Sequence, residues 1–160
     1  MEDKSKKIYT KNQVYKKAAD YCAYQERCQQ EVRNKLYHWG LHSEDVENVI
    51  VLLITDGFVN EERFSKAFAG GKFRMKKWGK VKIKKELKRK NISDYCIRKG
   101  LGEIDNREYI KSLKDIIDKK AGEIRGKNKF KKLNRVASFA ISKGYESELV
   151  WDIIRDKFDI

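Results

Sequence analysis

The sequence predicts an all-α protein in which three tandem three-helix repeats stack into an elongated, curved molecule. The 160 residues include no proline, so glycine, asparagine and capping residues must end the helices. Apolar residues recur at helical intervals along the chain. One apolar pattern occurs three times, and a unit of about 45 residues is not expected to be stable without a neighbour to stack on.

The repeated pattern is centred on Gly40, Asn91 and Gly144. In each copy, apolar or small residues stand eight and four positions before the turn residue and one, six, nine and ten positions after it. Each copy therefore contains two amphipathic helices joined by a turn, whose Gly or Asn tolerates the left-handed conformation that closes a helix. The members are Val32, Leu36, Leu41, Val46, Val49 and Ile50; Ile83, Leu87, Ile92, Ile97, Gly100 and Leu101; and Val136, Ala140, Tyr145, Val150, Ile153 and Ile154.

A further helix is predicted before each pair, over residues 12–24, 61–74 and 106–121. Ser43, Ser93 and Ser147 are each expected to cap the second helix of a pair, because an acid follows closely. The predicted units are repeat 1 (12–58), repeat 2 (59–104, which carries the main basic face) and repeat 3 (105–158).

Composition indicates a folded cytoplasmic protein. Charged residues make up 39% of the chain, against about 25% in an average domain. The longest apolar run, Val49 to Ile54, is far shorter than the roughly 20 residues of a membrane-spanning helix. The beginning of the chain, MEDKSKKIYTK, has no apolar segment of signal-peptide type. We expect a soluble monomer with no membrane contact.

The cysteines and histidines do not indicate a metal or a cofactor. Cys22, Cys28 and Cys96 form no CxxC pair and are odd in number, so we expect reduced, largely buried thiols. His38 and His42 have a spacing that suits a metal pair on a helix, but Gly40 between them is expected to end that helix.

Basic residues are concentrated in two stretches. The net charge is +14, and residues 72–90 hold eleven Lys or Arg against Glu86, which accounts for ten of the fourteen excess charges. Residues 119–135 hold eight bases against Glu123. Clusters of this density are typical of a surface that binds a polyanion, although a solvated lysine-rich face without a ligand is the alternative.

Helical geometry predicts how the first stretch presents its charge. If Ile83 and Leu87 face the core, then at about 100° per residue Lys82, Lys85 and Arg89 form one outward stripe, flanked by Lys84 and Lys88. Self-repulsion among these cations suggests an anionic partner. The candidate filament- or nucleic-acid-binding residues are Arg74, Lys76, Lys77, Lys80, Lys82, Lys84, Lys85, Lys88, Arg89, Lys131, Lys132 and Arg135.

Aromatic residues are interleaved with these bases. Phe73 and Trp78, with Met75 between them, alternate with Lys72, Arg74, Lys76 and Lys77 and are open to a base-stacking interpretation. Packing between helices is the preferred interpretation for both, and for Trp39 and Trp151.

The sequence contains no recognisable catalytic motif. GxSxG, HExxH, a phosphate-binding glycine loop and an acidic cluster for Mg²⁺ are all absent from it, so we do not expect an enzyme.

Four groups of residues together resemble the RecX family of small bacterial proteins that modulate the RecA recombinase. The first motif is Gly57, Phe58, Val59, Asn60, Glu61, Glu62, Arg63, Phe64, and the second is Gly79, Ile83, Glu86, Leu87, Lys90, Asn91, Ile92. Ala18, Tyr24, Arg27, Glu31, Leu36 and Gly40 match in the first repeat, and Lys132, Arg135, Gly144 and Tyr145 in the third. The resemblance covers about residues 12–158. Asn60 replaces the usual acid and Asn91 the usual turn glycine, and both can serve, as an N-cap and in a left-handed turn respectively.

The resemblance implies a curved protein that lies in the groove of the RecA filament on single-stranded DNA. It implies inhibition of filament growth and, with it, of ATP hydrolysis, strand exchange and the coprotease function that drives the SOS response, placing the protein in DNA repair and recombination. From the residues alone, the alternative function of a general single-stranded nucleic-acid-binding protein without a recombinase partner remains open, because a basic stripe does not identify its partner.

Overall fold

The computed structural model describes residues 9–160 and contains, within that range, nine α-helices and no strand. Their bounds are α1 Lys11–Tyr24, α2 Gln29–His38, α3 Ser43–Thr55, α4 Glu61–Lys76, α5 Lys80–Arg89, α6 Asp94–Leu101, α7 Asn106–Glu123, α8 Lys129–Ser142 and α9 Ser147–Phe158. The all-α prediction is confirmed, with three helices in each repeat. None of the helices over this range is long and apolar enough to span a bilayer.

The turn between the second and third helix has the same geometry in every repeat. Gly40, Asn91 and Gly144 have φ of +91°, +58° and +102°, so the predicted left-handed turns are present. In each turn the residue after the left-handed one donates its N–H to a carbonyl five residues back. These bonds are Leu41 to Leu36 (3.2 Å), Ile92 to Leu87 (3.2 Å) and Tyr145 to Ala140 (3.4 Å).

Helix capping agrees only in part with the serine prediction. Ser93 caps α6 by accepting the Cys96 N–H at 3.2 Å. Ser43 and Ser147 are instead the first residues of α3 and α9, and the cap positions are one residue earlier, at His42 and Glu146. Asn60 caps α4 as expected by accepting the Arg63 N–H at 2.9 Å.

The apolar core is divided unequally among the repeats. Repeat 1 has its own cluster, built around fully buried Val32, Leu36 and Leu53. Repeats 2 and 3 share one continuous cluster, in which Tyr109 of α7 lies 5.9 Å from Phe73 of α4, centroid to centroid. Burial by apolar neighbours, rather than propensity, therefore holds these short helices in place.

The cysteines are free, with Cys22 and Cys28 buried and Cys96 half-buried. Cys28, in the loop before α2, packs into the core cluster shared by repeats 2 and 3. Burial raises the pKa of the Cys28 thiol to about 12 and that of Cys22 to about 11. Both thiols therefore stay protonated near neutral pH and act as small apolar groups.

The junction between repeats 2 and 3 is made by main chain. Gly79, which precedes α5, donates its N–H to the Lys143 carbonyl, and Val81 donates to the Gly144 carbonyl, both at 2.9 Å. The Lys80 N–H donates to the hydroxyl of Tyr109 at 3.0 Å. These partners satisfy the first N–H groups of α5, whose cap residue has no side chain to do so. A Cβ at Gly79 would lie 2.2 Å from the Gly144 carbonyl carbon, so glycine is required there.

The junction between repeats 1 and 2 is made by polar side chains. The Arg63 guanidinium pairs with Glu26 at 2.5 Å, and the Gln29 N–H donates to Glu61 at 3.2 Å. The amide group of Gln30 lies within 3.3 Å of Asn91 Nδ2 and of the last carbonyl groups of α5. These hydrogen bonds join repeat 1 to repeat 2, and those described above join repeat 2 to repeat 3, so the repeats follow one another in chain order. Repeat 3 contacts the beginning of α5 and repeat 1 contacts its end.

Candidate nucleic-acid interface

The outer face of α5 carries an open cluster of cations. Ile83 and Leu87 are fully buried and fix the orientation of the helix. As a result, the opposite face projects into solvent. Its members share one shallow surface with the half-exposed Val81; they are Lys84, Lys85, Lys88 and Arg89. We call these four residues the α5 face.

The cations of the α5 face differ in their partners. Arg89 pairs with Glu86 one turn earlier, at 3.1 Å. The ion pairs found over residues 9–160 include none for Lys84, Lys85 or Lys88, which are exposed. Three ammonium groups are therefore available to an anion without first breaking a salt bridge, and exposed pairs such as that of Arg89 are weak in any case.

Lys82 does not belong to this face, which corrects the predicted stripe. It is half-buried, with Nζ 4.4 Å from the centroid of the Trp78 ring. Its Cβ lies where a side chain at Gly144 would have to go, because the turn before α9 packs against the beginning of α5. In an isolated helix Lys82 would point outward, but in the folded chain repeat 3 packs against that side of α5. The other four predicted members of the exposed set, Lys84, Lys85, Lys88 and Arg89, lie together on the α5 face.

Lys80 is likewise drawn into the junction. It is half-buried, with its ammonium group 4.6 Å from the Tyr109 ring centroid. Lys76 is exposed and uses its main-chain carbonyl to accept a hydrogen bond from Lys143 Nζ at 3.2 Å.

Arg74 and Lys77 line a second feature, a groove of about 690 Å³ between repeats 2 and 3. The other cations in it come from α7 and from the end of α8: Lys111, Lys119, Lys120 and Lys143. We call this space the inter-repeat groove. The prediction missed these four lysines, because nothing local indicates that α4, α7 and α8 bring their ends together.

The second basic stretch is thus divided by the fold. Lys119 and Lys120 line the inter-repeat groove, whereas the candidate residues on α8 do not. Lys131 and Arg135 are exposed and Lys132 is half-buried, and all three lie outside both the groove and the α5 face.

The aromatic residues near the basic stretch pack as the preferred interpretation predicts. Phe73 is buried, and Trp78 lies 6.5 Å from Phe68, ring to ring. Trp39 lies 6.4 Å from Tyr21, and Trp151 packs against the core of repeats 2 and 3. These rings order the repeats and do not form an open stacking platform.

A buried hydroxyl network supports the base of α5. The Tyr109 hydroxyl donates to Glu146 at 2.6 Å, and the Tyr145 hydroxyl donates to the Lys77 carbonyl at 3.0 Å. Burial, above all, raises the pKa of Tyr109 and of Tyr145 above the ordinary value of a phenol. Both phenols therefore stay protonated and uncharged at neutral pH, and their hydrogen bonds position the beginning of α5.

Three family models match the chain in order. They describe the first three-helix domain of RecX at residues 15–51, the second at 60–101 and the third at 107–154. Each match falls on one of the three helix groups and together they take in most of the chain.

Curated relatives of the chain carry the same family name. The regulatory protein RecX of Clostridium acetobutylicum is 29% identical over 136 residues, which are 82% of this chain and 63% of the relative. That of Lactobacillus johnsonii is 26% identical over 159 residues, 99% of this chain and 58% of the relative. The chain therefore spans about three-fifths of the length of these relatives.

Solved structures share the fold. The crystal structure of RecX from Lactobacillus salivarius superposes with a TM-score of 0.82 at 21% identity, covering 94% of this chain and 97% of that one. A second crystal structure, of a regulatory protein RecX, gives 0.79 at 19% identity, covering 91% and 73% respectively.

Proposed function

Because this chain belongs to the RecX family, we propose that it is a cytoplasmic regulator that binds the RecA filament on single-stranded DNA and blocks its extension. The observation that carries the proposal is the open α5 face within a chain that contains all three RecX domains in order. A narrow set of unpaired ammonium groups suits the groove of a filament that exposes DNA phosphates. Blocked growth would lower ATP hydrolysis, strand exchange and coprotease activity, and so the SOS response.

The first test measures RecA's ATPase activity on single-stranded DNA as the chain is added. A monomer that blocks extension should inhibit at substoichiometric amounts, since one bound copy stops the addition of many subunits. Inhibition that appears only when the chain is abundant enough to coat the DNA would instead support the alternative.

The second test asks whether the α5 face makes the contact. The triple change of Lys84, Lys85 and Lys88 to Gln should weaken filament binding roughly tenfold or more at about 0.1 M salt, because each lost phosphate contact removes about 0.7 from the salt slope. The control is the same charge loss at exposed Lys11, Lys16 and Lys114. Equal affinity of the two triple variants for the filament would remove the α5 face from the mechanism.

The alternative function is that of a general single-stranded nucleic-acid-binding protein without a recombinase partner. It is favoured by the openness of the α5 face, which has no walls that would select a particular protein surface. Equal affinity for bare DNA and for the RecA filament, measured at the same salt concentration, would support it.

A further inference from the structure

We propose that the inter-repeat groove binds a segment of single-stranded nucleic acid, distinct from whatever the α5 face binds. The inference rests on the proposed function, in which the chain meets single-stranded DNA, and assigns a further binding site for that strand. The groove has about 690 Å³ of space, within the range of about 300–1,000 Å³ that ligand pockets occupy. Its walls are α4 on one side and α7 with the end of α8 on the other.

The charge of the groove favours an anion. Two of its six cations are paired with groove acids, Lys111 with Asp115 at 3.5 Å and Lys120 with Glu123 at 3.6 Å. The other four are Arg74, Lys77, Lys119 and Lys143, for which the salt bridges found over residues 9–160 provide no acid. Against these four cations the groove has one further carboxylate, Glu108.

Helix ends account for part of this charge. Lys77 and Lys143 stand at the C-caps of α4 and α8, and Lys119 lies near the end of α7. A helix C-terminus carries about half a negative charge, which favours a nearby cation. Three ends and Glu108 together offset about 2.5 of the four positive charges. More than one positive charge therefore stays uncompensated in a concave site, where field lines are concentrated.

The rest of the lining is apolar and less exposed. Ile116 and Phe139 are half-buried, as are Lys120 and Lys143, whereas Arg74, Lys77 and Lys119 are exposed. The apolar part therefore lies deeper than these three exposed cations. A ligand that fits both parts has a flat, weakly polar body and an anionic group at its edge, which describes a nucleotide. Lys120 Nζ already lies 4.4 Å from the centroid of the Phe139 ring, so a stacked base would meet the ring beside a cation. An acidic peptide would satisfy the cations without using the ring.

The Arg74 side chain lies beside a glycine of its own helix. Its guanidinium group lies against the main chain at Gly70, where a Cβ would be 2.8 Å from a guanidinium nitrogen. Gly70 is buried and helical, a position where glycine costs about 1 kcal/mol relative to alanine. The room it leaves is occupied by Arg74.

The experiment measures the anisotropy of a labelled thymidine oligonucleotide with the full chain and without any recombinase. Arg74→Gln combined with Lys119→Gln should lower the affinity about tenfold at 0.1 M salt and reduce the salt slope by about 1.4, for two phosphate contacts. The matched control is Arg98→Gln combined with Lys114→Gln, which removes the same two side-chain types from exposed helix positions outside the groove. Equal loss in the two double variants would overturn the proposal.

Two further measurements test the identity of the ligand. Ultraviolet cross-linking of the same oligonucleotide should modify a peptide containing Phe139, and cross-links confined to α5 would contradict the proposal. Displacement of the oligonucleotide by millimolar thymidine monophosphate, or by an oligo-glutamate peptide at equal charge concentration, would reassign the groove to a free nucleotide or to an acidic protein segment. These measurements contain no recombinase, so a negative result here would not affect the ATPase test of the proposed function. A negative ATPase test would likewise not affect these measurements.

Discussion

The two junctions between repeats are held together by different kinds of interaction. Repeats 2 and 3 are joined by main-chain hydrogen bonds at Gly79 and Gly144 and by one continuous apolar core. Repeats 1 and 2 are joined by side-chain pairs, chiefly Arg63 with Glu26, between largely separate apolar clusters. Cys28 is the residue of repeat 1 that enters the other core.

This difference indicates where the molecule is rigid. Main-chain bonds and buried rings allow one arrangement, because a shift would leave unpaired N–H groups or a cavity. Partly exposed ion pairs contribute little and can re-form after a small rotation. We therefore expect repeats 2 and 3 to behave as one body, and repeat 1 to turn relative to it more easily.

The largest expected effect comes from breaking the rigid junction. Gly79→Ala places a Cβ against the Gly144 main chain and should lower the free energy of unfolding by about 3 kcal/mol or more, since overpacking and the loss of two junction hydrogen bonds add together. Urea unfolding followed by circular dichroism measures this. Gly122→Ala is the control, because its Cβ meets nothing within 4 Å, and it should stabilise α7 by up to about 1 kcal/mol. Equal stability of the two variants would contradict the close approach.

A smaller effect is expected from opening the polar junction. Arg63→Gln removes the partner of Glu26, whose Oε2 is buried without a hydrogen bond. Because the pair is partly exposed, the loss should be about 1 kcal/mol, and exchange of the Gln29 amide should become about fivefold faster. Arg155→Gln breaks a comparable exposed pair in repeat 3 and should leave Gln29 exchange unchanged. Faster exchange in both variants would show that the junction is not opened selectively.

The smallest effect is a pH dependence of the same junction. Burial, as the largest cause, raises the pKa of Glu61 above its ordinary value of 4.5, so the folded state holds a proton more readily than the unfolded state. Stability contributed through Glu61 is therefore greatest below pH 4.5 and is lost as the pH rises through the raised pKa. Between pH 7 and pH 5, wild type should gain stability relative to Glu61→Gln in urea unfolding.

Glu47 provides the opposite case within repeat 1. Its hydrogen bond with Arg33 lowers the pKa of the Glu47 carboxyl, so its contribution is present above pH 4.5 and is lost as the pH falls through the lowered pKa. The difference between wild type and Glu47→Gln should therefore stay constant from pH 7 to pH 5. A similar drift in both comparisons would assign the effect to general charge and not to the junction.

Local signals were sufficient to predict the fold. The turn residues and the apolar positions around them depend on neighbours within about ten residues. The left-handed φ of the turn residues is as predicted, and the apolar positions are buried except for the half-buried Leu41 and Leu101. The caps of α3 and α9 differ by one residue because the serines fit equally well as first helical residues.

The candidate site was predictable only where it depends on one helix. Lys84, Lys85 and Lys88 follow from the burial of Ile83 and Leu87. Lys82 was misplaced because its environment is set by Gly144, more than sixty residues away. A usable signal was present at Gly79, a glycine that precedes a helix without a side-chain cap, which indicates that another segment supplies the cap.

The attachment of α5 at both ends has a consequence for any attempt to isolate its activity. The helix has ten residues, and those around Ile83 and Leu87 are mostly cationic. A synthetic peptide of this length would be largely unstructured in water, since isolated helices shorter than about 12–15 residues are marginal. It would carry the same lysines as a flexible polycation with no fixed distance between charges, and whatever selectivity the intact chain has for a spaced array of phosphates would be lost with the neighbouring repeats.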